Sequence, residues 1–196
     1  MRPVPPKMAA KLMVAADLFA ERGLDGTKTE DIAAATGIPK ATIYYYFEGK
    51  EQVLSFIFGV VLDAVGEAVA AAANGPGNAA ERMRRIIAAH LEVFAEFPRA
   101  SQALHFDLGR AARLPEVVAR SNGAFIEPVA ALIMEGVAEG TFQQIVHPQL
   151  AAVAILGSIT TTAMHVIAVD SSDSLAMVSD TVSALVLNGI LKEVGT

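Results

Sequence analysis

The chain has 196 residues, room for one domain with an appendage or for two small ones, and 53% of them are hydrophobic with a mean hydropathy of +0.44. So much apolar surface must be hidden, and self-association is the expected place to hide it. The absence of cysteine excludes disulfides, thiolate metal sites and a cysteine nucleophile, while the net charge of −6 excludes a uniformly basic binder of nucleic acid.

The opening MRPVPPK is followed by no apolar run of the signal-peptide kind, which makes a cytoplasmic protein the expectation. From Met8 to Arg22, the residues Met8, Leu12, Ala15, Ala16 and Phe19 recur at helical spacing, and Gly23 followed by Leu24 reads as a C-terminal cap with its hydrophobic contact. The next stretch, Thr27 to Lys50, has the shape of a helix-turn-helix. Thr27 and Glu30 form a T-x-x-E capping box, Ile32, Ala33 and Thr36 continue one face, and Gly37 supplies the positive φ that ends the first helix. Pro39 suits the start of a second, very short helix, whose Ile43 and Phe47 lie one turn apart and can pack onto Ile32 and Ile38. Its other face carries Lys40, Ala41, Thr42, Tyr44 and Tyr45: a cation, small residues that permit close approach, and phenols that can bond phosphates. That is the chemistry of a helix lying in a major groove.

The run Gly37-Ile38-Pro39-Lys40-Ala41-Thr42-Ile43-Tyr44-Tyr45-Tyr46-Phe47, with Lys50-Glu51 behind it, resembles the DNA-binding signature of the TetR (tetracycline-repressor) family of bacterial transcriptional regulators. Leu18-Phe19-Ala20-Glu21-Arg22-Gly23 and Asp31-Ile32-Ala33 are similar to that family's first and second helices. The resemblance covers the first quarter of the chain and departs from the usual pattern at Pro39, Tyr45 and Gly49. It implies contacts with double-stranded DNA from Lys28, Thr29, Lys40, Ala41, Thr42, Tyr44, Tyr45 and Lys50. Charge is distributed to match. Through Lys50 there are seven Lys/Arg against six Asp/Glu, a net of +1, whereas the remainder has eight against fifteen, a net of −7.

Beyond the hairpin, a long helix from about Lys50 to Ala73 carries Val53, Leu54, Ile57, Val61, Val65 and Val69 along one side and stops at Asn74-Gly75-Pro76-Gly77. Residues Ala79 to Phe97 form a strongly amphipathic helix, with Met83, Ile86, Ile87, His90, Leu91, Phe94 and Phe97 inward, and Pro98 ends it. A further helix is expected from about Arg99 to Ala112. Leu114-Pro115 then opens a longer one to about Glu139, in which Pro128 removes the bond to the carbonyl of Ala124 and must kink or split it. No charge occurs between Glu139 and Asp170, and Leu150 to Val169 is long enough to weigh as a membrane span. Its Ser, Thr and His residues, and its lack of flanking Lys/Arg or Trp/Tyr anchors, favour a buried helix instead. The last helix, about Leu175 to Val194, shows Leu175, Val178, Val182, Leu185 and Gly189 at near-heptad spacing. Two such helices from each of two chains would make a four-helix interface, so a homodimer is expected.

The expectation is therefore an all-α chain of about nine helices. Residues 1–50 form a helix-turn-helix DNA-binding domain and residues 51–196 an effector-binding and dimerisation domain. His90, His105 and His165 each read singly as core histidines. Together with Phe94, Phe106, Phe125, Met134 and Thr161 they read as the lining of an apolar cavity with a few polar handles, fit for a small, largely apolar effector. No close histidine pairing suggests a metal, no cofactor motif appears, and G-x-S-x-G, Walker, GxGxxG and HExxH motifs are all missing. The function expected is a transcriptional regulator, most often a repressor, released from a palindromic operator by its effector. The alternative is an α-helical enzyme or scaffold whose helix-turn-helix resemblance is incidental.

Overall fold

The computed structural model describes residues 2–107, 115–168 and 174–191. Among them the chain is all-α, apart from an isolated antiparallel bridge between Phe142 and Leu191. The helices are α1 (Pro6–Leu12), α2 (Ala16–Gly26), α3 (Thr29–Thr36), α4 (Lys40–Tyr46), α5 (Lys50–Ala73), α6 (Ala79–Glu96), α7 (Pro98–Phe106), α8 (Pro115–Ser121), α9 (Glu127–Ala138), α10 (Pro148–Ala168) and α11 (Leu175–Ile190). A 3-10 turn, Met13–Ala15, makes α1 and α2 one run, and a π turn, Asn122–Ile126, does the same for α8 and α9, which leaves nine helical runs among the described residues. Ala112, Leu114, Val169, Asp170 and Val194, named above at or near expected helix ends, lie outside them.

The first compact unit comprises residues 1–61 and 97–118. Its core is apolar, with Leu12, Ala15, Phe19, Ile32, Ile43 and Phe47 all almost fully buried. Helix α2 breaks at Gly23, whose φ of 64° and ψ of 179° are open to glycine at little cost, and Leu24 is then buried as the cap predicts. The expected T-x-x-E box is not what starts α3. The helix begins at Thr29, Lys28 is its cap residue, and the Asp31 carboxylate accepts the Lys28 amide at 3.1 Å. Thr27 is fully buried and its hydroxyl donates to the carbonyl of Gly23 at 2.7 Å, which commits it to the break in α2 rather than to α3. No local pattern around residues 98–106 signals that α7 belongs here. It packs on α2, and Arg99 reaches Asp17 at 3.0 Å and Glu21 at 2.7 Å.

The second unit comprises residues 62–96 and 119–196. Arg82 of α6, largely buried, ties three helices together by donating to both carboxylate oxygens of Glu135 in α9, at 3.1 and 2.6 Å, and to the carbonyl of Ala73 at the end of α5. The kink expected from Pro128 appears as the π turn just before it, since the carbonyl at Ala124 has lost its i+4 partner. After α9, Phe142 lies over Gly136 so closely that a Cβ there would sit 2.3 Å from the ring, and Gln143 donates its amide to Ile190 at 2.8 Å and its side chain to Gly189 at 2.6 Å. By length and composition alone, Lys50–Ala73, Pro115–Ala138 and Pro148–Ile167 could each cross a membrane. The last of these has only 28% of its apolar window buried within the chain, so much of α10 is left bare. Its outer stripe, Leu150, Val153, Ala154, Gly157, Ser158, Thr161 and His165, follows helical spacing.

Candidate functional site

Two short helices and a three-residue connection make the first candidate site. Gly37 ends α3 in the left-handed region, with φ 64° and ψ 21°. The buried hydroxyl of Thr36 donates to the Ile32 carbonyl at 2.7 Å and accepts the Ile38 amide at 3.3 Å, so the turn is fixed by one side chain that serves both of its arms. Pro39 is the cap residue of α4, where its missing N–H costs nothing. Ile38, Ile43 and Phe47 turn inward and are almost fully buried.

What remains outside is the face read from the sequence. Lys40, Ala41, Tyr44 and Tyr45 are exposed, Thr42 half-buried, and the two tyrosines show 50% and 61% of their surface. Lys28 is exposed beside α3, and Lys50 is half-buried at the start of α5 with its ammonium 3.4 Å from the Asp25 carbonyl. Thr29 differs, being buried at the first position of α3. Its side chain is spent on packing. Lys40 is not free either, since its ammonium is paired with the Glu30 carboxylate. That hydrogen bond lowers the pKa of Glu30 and raises that of Lys40, each holding the other charged. Arg2, ahead of α1, lies with its guanidinium 4.1 Å from the centre of the Tyr45 ring, and the Tyr45 ring meets Tyr46 edge-on at 5.0 Å.

The second candidate site lies inside the second unit. His90 of α6 is 4% exposed, with ring centroids 5.5 Å from Phe94 and 5.2 Å from Phe125, the latter edge-on. Its Nδ1 has no hydrogen-bond partner, and burial lowers its pKa to about 4, so the ring is neutral at pH 7. Phe125 is carried by the π turn, and the neighbouring Ala124 touches α5, since a methyl on Gly66 would lie 3.5 Å from it. The structure thus brings together His90, Phe94 and Phe125. Met134, Thr161 and His165 are exposed on α9 and α10, and an inward lining role does not fit that exposure; His105, half-buried, and Phe106, exposed, belong to the first unit. No group of three or more His, Cys, Asp or Glu able to hold a metal occurs among the described residues.

A buried-cored helix-turn-helix that presents cations and phenols, joined to a helical unit with a neutral polar group in an aromatic setting, defines a DNA-binding regulator with a sensing domain. Comparison with known proteins agrees. Residues 12–55 match the family model for bacterial regulatory proteins of the tetR family, and residues 76–164 match a tetracycline repressor-like C-terminal domain. The fatty acid metabolism regulator protein of Bacillus subtilis is 23% identical over 186 residues, covering 94% of this chain and 96% of that protein. The fatty acid degradation regulator FadR of Bacillus halodurans superposes with a TM-score of 0.80 at 24% identity, over 96% of this chain and 98% of that one. FadR of Bacillus subtilis, solved in complex with stearoyl-CoA, gives 0.76 at 22% identity, over 92% and 98%. The chain belongs to the tetR family of bacterial regulatory proteins and is a DNA-binding transcriptional regulator.

Proposed function

We propose that this regulator is a cytoplasmic homodimeric repressor that occupies a palindromic operator through Lys40, Ala41, Thr42, Tyr44, Tyr45, Lys28 and Lys50, and that a largely apolar small molecule releases it. The observation that carries the DNA reading is the outer face of α4, where large residues stand exposed and nearly every one ends in a polar group. One such helix offers too few base contacts for tight specificity, and a two-fold dimer doubles them on half-sites about one helical turn apart. The bare stripes of α10 and α11 supply apolar surface for that dimer, and Gly157 and Gly189, whose Cβ positions meet nothing within 4 Å, would allow close approach. The division of labour falls near Lys50, with residues after it sensing and dimerising.

The effector reading rests on His90. The two phenylalanines suit the apolar body of a small molecule and the unpartnered imidazole nitrogen a polar group on it, and relatives are described as regulators of fatty acid metabolism, one of them bound to stearoyl-CoA. A long acyl chain is therefore the class to test first. An occupant that moves Phe125 must move the π turn, and with it Ala124 against α5, the helix that begins at Lys50. Coupling of this kind is about 1–3 kcal/mol, so effector should weaken operator binding by roughly 5- to 150-fold, and operator must weaken effector binding by the same factor. Calorimetric titration of acyl-CoAs of graded chain length, with and without the DNA that the protein enriches from genomic fragments, measures both. Equal effector affinity in the two titrations would remove the switch from this reading.

A further inference from the structure

The DNA-facing surface has a deficit of charge. Residues 28–47 hold two cations, Lys28 and Lys40, and two carboxylates, Glu30 and Asp31, which cancel. Lys40 is moreover tied to Glu30, so the cation at the front of the recognition helix has to give up a partner before it can meet a phosphate. Counterion release, the main source of affinity for duplex DNA, requires unencumbered positive groups at the surface.

The residues ahead of α1 bring one. Pro3, Pro5 and Pro6 surround Val4, and a proline fixes its φ near −65°, so this stretch has few conformations to choose among. Pro5 is extended, with φ −61° and ψ 144°, and Pro6 opens α1. At the far end of the strut the Arg2 guanidinium lies over the ring of Tyr45, on the exposed face of α4. A guanidinium that lies flat on a ring keeps its N–H groups pointing outward in the plane, and that fork matches a phosphate.

Resting on the DNA-binding reading above, we propose that Arg2 belongs to the DNA interface: seated on Tyr45, it contacts a backbone phosphate beside the recognition helix and supplies the charge that the Glu30–Lys40 pair withholds. The contact is with backbone, so it adds affinity without selecting sequence. Tyr45 acts in it as a positioning residue whose ring holds the cation in place.

The test uses the full chain and fluorescence anisotropy on two duplexes of equal length, one enriched by the protein from genomic DNA and one scrambled, across a salt series. Arg2→Ala should weaken both by a similar factor, about 3- to 10-fold, and flatten the slope of log K against log salt by about one unit. Arg2→Lys should keep the slope, because the charge is kept, while losing part of the affinity. Tyr45→Ala combined with Arg2→Ala should cost less than the two single losses added together, since each removes the same contact. Melting temperatures check that every variant folds. Unchanged affinity and slope in Arg2→Ala overturns the proposal, as do additive losses in the double variant or a loss confined to one duplex. A wild-type chain that retards neither duplex would instead sink the DNA-binding reading itself.

Discussion

The outer face of α4 in the first unit and the outer stripes of α10 and α11 in the second expose opposite kinds of group. On α4, Ile43 and Phe47 go inward and the large side chains left outside end in an ammonium or a hydroxyl that water satisfies. The second unit leaves Leu150, Val153, Met177 and Leu185 exposed while burying an imidazole nitrogen with no partner. Each departure from ordinary burial carries a cost that something must offset. A surface with polar tips can wait in water for DNA, whereas a bare aliphatic stripe needs a dry partner and a buried orphan needs a polar one. The difference is one of partner: a wet ligand for the first unit, and for the second a copy of itself and an effector.

The largest effect expected from breaking this contrast comes from a charge on the aliphatic stripe. Leu185→Glu should raise the dimer dissociation constant by at least about 100-fold, near 3 kcal/mol, because a carboxylate would be desolvated at the contact. Sedimentation at micromolar concentration reads it, and wild-type chain that runs as a monomer there would end the comparison. Val182, which shares the sequence stripe, is 1% exposed while Leu185 is 71% exposed, so a charge at Val182 would report on folding instead.

Next in size is the cost of the buried imidazole. The folded-state pKa of His90, about 4, lies below the unfolded value near 6.5, so between these limits the unfolded chain binds the proton and the folded one does not. Stability is whole above pH 6.5 and falls as pH drops toward 4, by about 3 kcal/mol from this group. Urea unfolding at pH 7 and pH 4.5 should show that loss reduced in His90→Phe relative to wild type; equal losses would mean that the ring has a partner or is wet.

The smallest effects belong to the face that already satisfies itself. Tyr44→Phe should weaken operator binding by roughly 1 kcal/mol with no change in melting temperature. Lys50→Ala should weaken all duplexes about equally and lower the salt slope by about one unit. Unchanged affinity in both variants would take these residues out of the interface.

What could be read from the sequence was local. Gly23, Gly37, Pro98 and Pro128 each mark a place where the backbone has to break, and a single residue carries the signal. The one-turn spacing of Ile43 and Phe47 among polar residues gave the orientation of α4, because that helix has two chemically different sides. Two things were not legible. Arg99 meets Asp17 and Glu21 from far along the chain, and nothing near Arg99 announces them. The side of α10 that faces inward was also hidden, since Leu150 and Val153 on its outside are as apolar as Ile155 and Ile159 within, and they mask the signal of Ser158, Thr161 and His165 beside them. A helix that is apolar all round has no periodicity to point with. The burial of Thr29 was hidden for a related reason, as a hydroxyl in a polar run does not reveal that it packs.

Gly136 has a consequence for motion on the scale of minutes. Phe142 fills the hollow above it, Phe142 donates its amide to the Gly136 carbonyl at 2.9 Å, and Gln143 closes onto Ile190 and Gly189 at the far end of α11. An amide in a connection normally exchanges its hydrogen with solvent freely, because local opening there costs little. These two amides can open only if the ring leaves its seat or the end of α11 lets go, so they should share the slow exchange of the helices they clamp.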